Sequence, residues 1–168
     1  QHLAAHPEEA YAQMRLRNSF HRAGLFDQTI QKVSDAISRR AFHSARQAIA
    51  EGLQAAQSTA SAVESADAHA YAGLAEYEMG NLSACLHYLE TAVSRVAPES
   101  NESACLDWLR GAANLQAGEK MAARAYLHRA ELVFRLLERR ANQTQNSSNR
   151  THYNRLAEKI NAILMSAE

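Results

Sequence analysis

Apolar positions along this chain recur at spacings of three and four, with polar positions between them, the period of helices that bury one face. The first such segment is predicted to begin near Pro7-Glu8-Glu9, where proline fits the first turn and two carboxylates complement the positive end of the helix dipole. Tyr11, Met14, Leu16 and Phe20 give it an apolar side, and Gly24 ends it, glycine being suited to the left-handed conformation that follows a helix. Asp27 is placed to cap a second helix whose buried face is Ile30, Val33, Ala36 and Ile37. A third helix uses Phe42, Ala45, Ile49 and Leu53 and fades into Gln57-Ser58-Thr59-Ala60-Ser61, the expected first long loop.

Beyond that loop Ala68 to Met79 reads as a helix ended by Gly80-Asn81, and Leu82 to Val96 as its partner, ended before Pro98. A further pair is predicted over Ser103 to Ala117, stopped at Gly118, and Glu119 to about Arg140. Residues 142–149 contain only Asn, Gln, Ser and Thr, whose side chains compete with the backbone for hydrogen bonds, so 141–150 is expected to be a polar loop. The last helix, 151–166, carries Tyr153, Leu156, Ile160, Ile163 and Leu164 on one side and Arg155, Glu158 and Lys159 on the other, the pattern of a capping helix.

Three segments share one arrangement. Gly73 precedes Gly80 by seven residues, followed by Leu82, Cys85, Leu89, Ala92 and Pro98; Gly111 precedes Gly118 by seven, followed by Ala123, Leu127 and Ala130. The first segment has Arg17 where the earlier glycine would stand, then Gly24, Phe26, Ile30, Val33 and Ala36. Small residues at these places let two helix backbones approach closely while Leu89 and Leu127 fill the groove between them. This order of small residue, helix-ending glycine, apolar residue and paired alanines resembles the tetratricopeptide repeat, a helix-turn-helix unit of about 34 residues. The resemblance spans residues 8–134. It implies an all-α fold of stacked antiparallel hairpins, a right-handed superhelix of about seven or eight helices closed by the C-terminal helix, in a single domain over 1–168. The chain departs from the pattern in that Trp108 sits one place off the usual aromatic position, and in that Gly24 and Gly80 are 56 residues apart against 38 for Gly80 and Gly118. On that register a helix at 41–57 is an insertion.

Composition narrows the function. Hydrophobic residues at 46% and charged residues at 21% describe a chain that folds, and two prolines among abundant alanine and leucine describe one that folds into helices. Eighteen basic residues balance eighteen acidic ones, so no net field draws the protein to nucleic acid or to an anionic membrane. Two cysteines, Cys85 and Cys105, are too few for a disulfide framework, fit a reducing, cytoplasmic compartment, and have alanine and leucine neighbours that read as core. No apolar run reaches membrane-spanning length. The first residue is Gln1 rather than methionine, which is compatible with a signal or neighbouring domain having been removed. Five Asn-x-Ser/Thr sequons occur, three of them in the polar loop, where such a composition generates them without glycosylation.

The chemistry-bearing candidates are few. None of the eight histidines forms H-E-x-x-H, and His87 and His128 have no carboxylate at ligand spacing, so no metal and no cofactor is expected. Stacked hairpins curve so that their first helices line a concave surface, and there the resemblance places Asn18, His21 and Arg22, then Tyr77 and Glu78, then Trp108, Ala112 and Gln116. Tyr and Trp bury large area with few rotatable bonds, which suits them to anchor a peptide or partner helix, although both also pack between hairpins as core. The expected function is therefore a non-enzymatic protein-binding module, a chaperone or adaptor like those of bacterial secretion systems or the interaction region of a larger regulator, with exposed groove residues also able to form a homodimer. The alternative rests on Arg15 and His21, which bracket Leu-Arg-Asn-Ser-Phe and so resemble the arginine, five residues, histidine pattern of the HEPN family of helical ribonucleases. That resemblance implies phosphate binding by Arg15 and acid–base or orienting work by His21.

Overall fold

The computed structural model of the chain describes residues 5–17, 27–59 and 62–167, and every regular element among them is an α-helix. In chain order these are α1 (Pro7–Arg17), α2 (Asp27–Ser38), α3 (Phe42–Thr59), α4 (Ala62–Glu78), α5 (Leu82–Val93), α6 (Asn101–Gln116), α7 (Lys120–Gln143) and α8 (Ser147–Ser166). Contacts gather them into two compact units, Arg15–Val96 and Gln1–Met14 with Ala97–Glu168.

The turns explain where the helices stop. Gly80 (φ 85°) and Gly118 (φ 82°) take the left-handed conformation that a Cβ disfavours. In each case the chain closes on the preceding helix with the same two bonds. Gly80 N–H donates to Tyr77 O at 3.0 Å and Asn81 N–H to Glu76 O at 2.9 Å; Gly118 N–H donates to Leu115 O at 3.1 Å and Glu119 N–H to Asn114 O at 2.8 Å. Asn81 then caps α5 by accepting from Ala84 N–H, and Ser100 and Ser103 cap α6 reciprocally, each hydroxyl accepting from the other's backbone.

A third turn of this kind lies where no glycine marks it. Arg40 has φ 58°, its N–H donates to Ile37 O at 2.9 Å and Ala41 N–H to Ala36 O at 2.8 Å. The left-handed residues 40, 80 and 118 are thus 40 and 38 residues apart. Counting from them brings Val33, Gly73 and Gly111 into register, then Ala45, Cys85 and Ala123, then Ile49, Leu89 and Leu127, and last Gly52, Ala92 and Ala130. All twelve are buried. The contact behind the pattern is explicit at the glycines: a Cβ on Gly73 would lie 2.8 Å from Leu89 Cδ2, and one on Gly111 would lie 2.6 Å from Leu127 Cγ. Each leucine fills the space its glycine leaves, and burying such a side chain contributes about 1.5–3 kcal/mol.

This register corrects two expectations. The helix at 41–57 is not an insertion; it is the second helix of a hairpin with α2, against which it packs. The sequence pattern places the turn at Gly24, one helix too early; the turn between α2 and α3 is made by Arg40. Gly24 and Phe20 themselves lie outside the described residues. The expected loops also shrink. α3 continues through Thr59, deep into the 57–61 run. α7 reaches Gln143 and α8 starts at Ser147, leaving only residues 144–146 of the expected 141–150 loop and beginning the last helix before 151. Tight packing of α8 on α7 outweighs the weak helix propensity of Asn and Ser, and Asn146 acts as the cap, accepting from Asn149 N–H at 3.0 Å.

Within the unit of α2 to α5, α4 packs on α5 and also meets both α2 and α3. Tyr71 on α4 donates its hydroxyl to Ile30 O of α2 at 3.3 Å, and Arg46 on α3 donates to the buried carboxylate of Glu76 on α4 at 3.2 Å. Within the other unit, α7 packs along both α6 and α8, with Phe134 stacked on Tyr153. The N-terminal segment joins this unit: Trp108 on α6 donates its indole N–H to Ala5 O at 2.7 Å, and Glu9 on α1 pairs with Lys159 and Arg155 of α8.

Candidate functional site

First helices of hairpins carry the candidate residues, so their exposure decides what each can do. In α4 residues 66–68 and 70–76 are all buried, and in α6 residues 104–109 and 111–114 are. Helices covered this completely are central elements whose side faces are already occupied by other parts of the chain. Among the described side chains of the two helices only those at the C-terminal ends are exposed: Glu78 and Gln116, which are equivalent positions, each two residues before a left-handed glycine. Tyr77 is half-buried.

Trp108 is the main correction. It is 0% exposed, a core residue rather than an open anchor, and Ala112 beside it is buried as well. An indole has one donor, and burial without a partner would be costly; here Ala5 O satisfies it. Asn18, His21 and Arg22 lie outside the described residues, as does the side chain of Arg15. Among the predicted site residues, the described ones therefore divide into exposed helix ends, Glu78 and Gln116, a half-buried Tyr77, and a buried tryptophan already engaged.

Burial also decides the reactivity of the remaining groups. Cys85 has its thiol pushed up to about 12 by burial, with Glu76's charge adding, and Cys105 is raised by burial and then by Glu102, so both are protonated, inert core residues at neutral pH. Tyr71 is pushed up to about 12 by burial and by Glu78. His69, half-buried on α4 with Nδ1 2.8 Å from Ser65 O, has its pKa lowered by burial above all, while the bond to Ser65 works the other way and the charges of Arg95 and His87 add to the lowering. Among the described residues no group of three His, Cys, Asp or Glu side chains is placed to hold a metal.

One cluster went unnoticed in the sequence. Asp107 on α6 is buried, bonded to Arg110 Nη2 at 2.5 Å and 3.9 Å from Arg129 Nη1 of α7, and both guanidinium groups lie over the Tyr126 ring, Arg110 at 4.4 Å. Burial raises the Asp107 pKa and the two arginines oppose that rise. The signal available was an acid and a base three apart on one helix, which reads equally as a surface pair. Its place suits a structural role, tying α6 to α7. Elsewhere the α7–α8 turn forms a shallow depression of about 240 Å³ lined by Ala141, Asn142, Gln145, Asn146, Ser147 and Arg150, open and without a buried polar group aimed into it.

Among the described residues no helix is long and apolar enough to cross a membrane. Comparison with protein-family models, with curated proteins and with solved structures finds no match to the chain.

Proposed function

We propose that the chain is a protein-binding module of the tetratricopeptide type, acting as an adaptor or chaperone toward a peptide or partner helix and catalysing no reaction. The observation that carries this reading is the threefold register of turn, small residue and buried leucine or isoleucine about the left-handed residues 40, 80 and 118. The contacts of α4 with both helices of the preceding hairpin add to it, since stacked helical repeats bury their cores against their neighbours. Inert cysteines and a net charge of zero are in keeping with binding over chemistry and with a protein rather than a nucleic-acid partner.

Affinity capture from native cell extract tests the reading, with the intact chain as bait and a Glu78→Lys/Gln116→Lys variant, matched for helicity by circular dichroism, as control. A protein retained by the wild type and reduced by the folded variant is the expected result. Recovery of RNA in place of protein would move the assignment to the ribonuclease alternative, with Arg15 and His21 variants in a cleavage assay as the next comparison.

A further inference from the structure

The N-terminal helix is bound the way a helical ligand is bound. Among its described side chains the buried ones are Pro7, Ala10, Tyr11 and Met14, the i, i+3, i+4, i+7 stripe with which an amphipathic helix enters a groove. Ahead of the stripe Ala5 offers its carbonyl to the fully buried indole of Trp108 on α6, and beside the stripe Glu9 meets Lys159 and Arg155 on α8. The groups it meets, Trp108 on α6 and Arg155 and Lys159 on α8, lie about a hundred and more positions away in the chain, and Trp108 is 0% exposed.

Three features show that the fit is serviceable rather than optimal. His6, at the entry to α1, holds a left-handed conformation (φ 53°) that costs a side-chain-bearing residue about 1–2 kcal/mol. Gln13 Oε1 is buried with no hydrogen-bond partner, a penalty of about 1–3 kcal/mol. The ion pairs of Glu9 are partly exposed, Arg155 most of all, so solvent screens them. An isolated helix of 11 residues also has little stability of its own.

We infer that the face formed by α6 and α8 is a helix-docking site which α1 occupies in cis, and which a partner helix takes in trans by presenting the same stripe with a carboxylate at the Glu9 position. The partner is thus a helix with small or apolar residues at i, i+3, i+4 and i+7 and an acid at i+2, which meets Lys159 and Arg155. A competitor that avoids a left-handed entry residue and buries no unpaired polar atom at the Gln13 position has the advantage over α1. The inference deepens the protein-binding reading and rests on it.

The test uses the intact chain and a fluorescent synthetic peptide of residues 1–17 as probe, followed by anisotropy. Saturable binding is expected, strengthened about tenfold when Glu9→Lys in the full chain weakens its own α1. A chain carrying Arg155→Glu and Lys159→Glu is expected to reject the wild-type peptide and accept a Glu9→Lys peptide, a reversal that general loss of structure cannot produce. Native-state hydrogen exchange supplies a second readout: amides of Ala10–Met14 are expected to open at least about 100-fold more readily than those of α7. Absence of peptide binding to both the wild-type and Glu9→Lys chains, or loss of α1 and α7 protection in one cooperative step, would overturn the inference and make α1 an integral part of the core. So would a zero-length cross-link from Glu9 of one copy to Lys159 of another, which would assign the face to self-exchange. If the peptide fails while affinity capture succeeds, only the docking face is lost; if both fail, the protein-binding reading falls with it.

Discussion

The two units of this molecule bury their first helices by different means. In the unit of α2 to α5 the helices that touch are neighbours in sequence, and α4 is held by the hairpin before it through Tyr71 with Ile30 O and Glu76 with Arg46. In the unit of α6 to α8 the hairpin core repeats the same register, but α6 is also covered by the chain's own N-terminus, with Trp108 bonded to Ala5 across 103 residues of sequence. Repetition therefore supplies the packing between helices of a hairpin, while what lies on the inner face is settled case by case. One unit stacks a hairpin there and the other accepts a single helix.

That comparison can be broken at its longest-range contact. Trp108→Ala removes a buried indole and leaves Ala5 O unpaired, and is expected to cost about 3–5 kcal/mol, with a selective loss of hydrogen-exchange protection in α1. Leu89→Ala, a deletion at a repeat position in the other unit, is expected to cost about 2–5 kcal/mol by denaturant unfolding and to leave α1 protection proportionate to global stability. Equal loosening of α1 in both variants would show that the two units do not differ in this respect.

The shared register is sharpened by adding one carbon. Gly111→Ala and Gly73→Ala each force a methyl into a leucine side chain, and both are expected to destabilise by about 1–3 kcal/mol, Gly111→Ala more because its Cβ would lie 2.6 Å from Leu127 Cγ against 2.8 Å from Leu89 Cδ2. A neutral result at either glycine, read from the thermal midpoint, would remove that hairpin from the pattern.

Smaller effects follow at the turns and on α4. Arg40→Gly relieves a left-handed arginine, and is expected to stabilise by about 0.5–1 kcal/mol once the added freedom of the unfolded chain is counted; a loss of stability would mean that the Arg40 side chain, which lies 5.4 Å over the Phe42 ring, matters more than its backbone. His69 has a folded-state pKa below that of the unfolded chain, so its neutral form is the one the fold favours. Its contribution is complete above about pH 6.5 and is lost as pH falls through that value toward the folded pKa, because the unfolded chain takes up the proton first. Replacing it with glutamine is expected to flatten the thermal midpoint between pH 7.5 and 5.5 by about 2 °C or less, measured by circular dichroism.

Legibility in the sequence followed chemistry that acts over short range. Gly80 and Gly118 announced their turns because only glycine takes a positive φ without strain, and Gly73 and Gly111 announced close helix contacts because they were paired with leucines at fixed offsets. Arg40 concealed an equal turn, since an arginine carries no such signal, and the hairpin of α2 and α3 was hidden with it. The run 142–149 misled in the other direction: local propensity favoured a loop, and packing of α8 on α7 overrode it, leaving Asn146 to work as a cap.

The sequence by itself determined the all-helical class, most of the helix ends and the small-residue register of two hairpins, because periodicity, capping and backbone freedom are properties of residues within a turn or two of each other. Only the tertiary structure decided that Trp108 is core, that Ala5 and Glu9 meet α6 and α8, and that Asp107 is held between two arginines. Those outcomes depend on which surfaces meet across long stretches of chain, and an amphipathic pattern specifies that a face is buried without specifying what buries it.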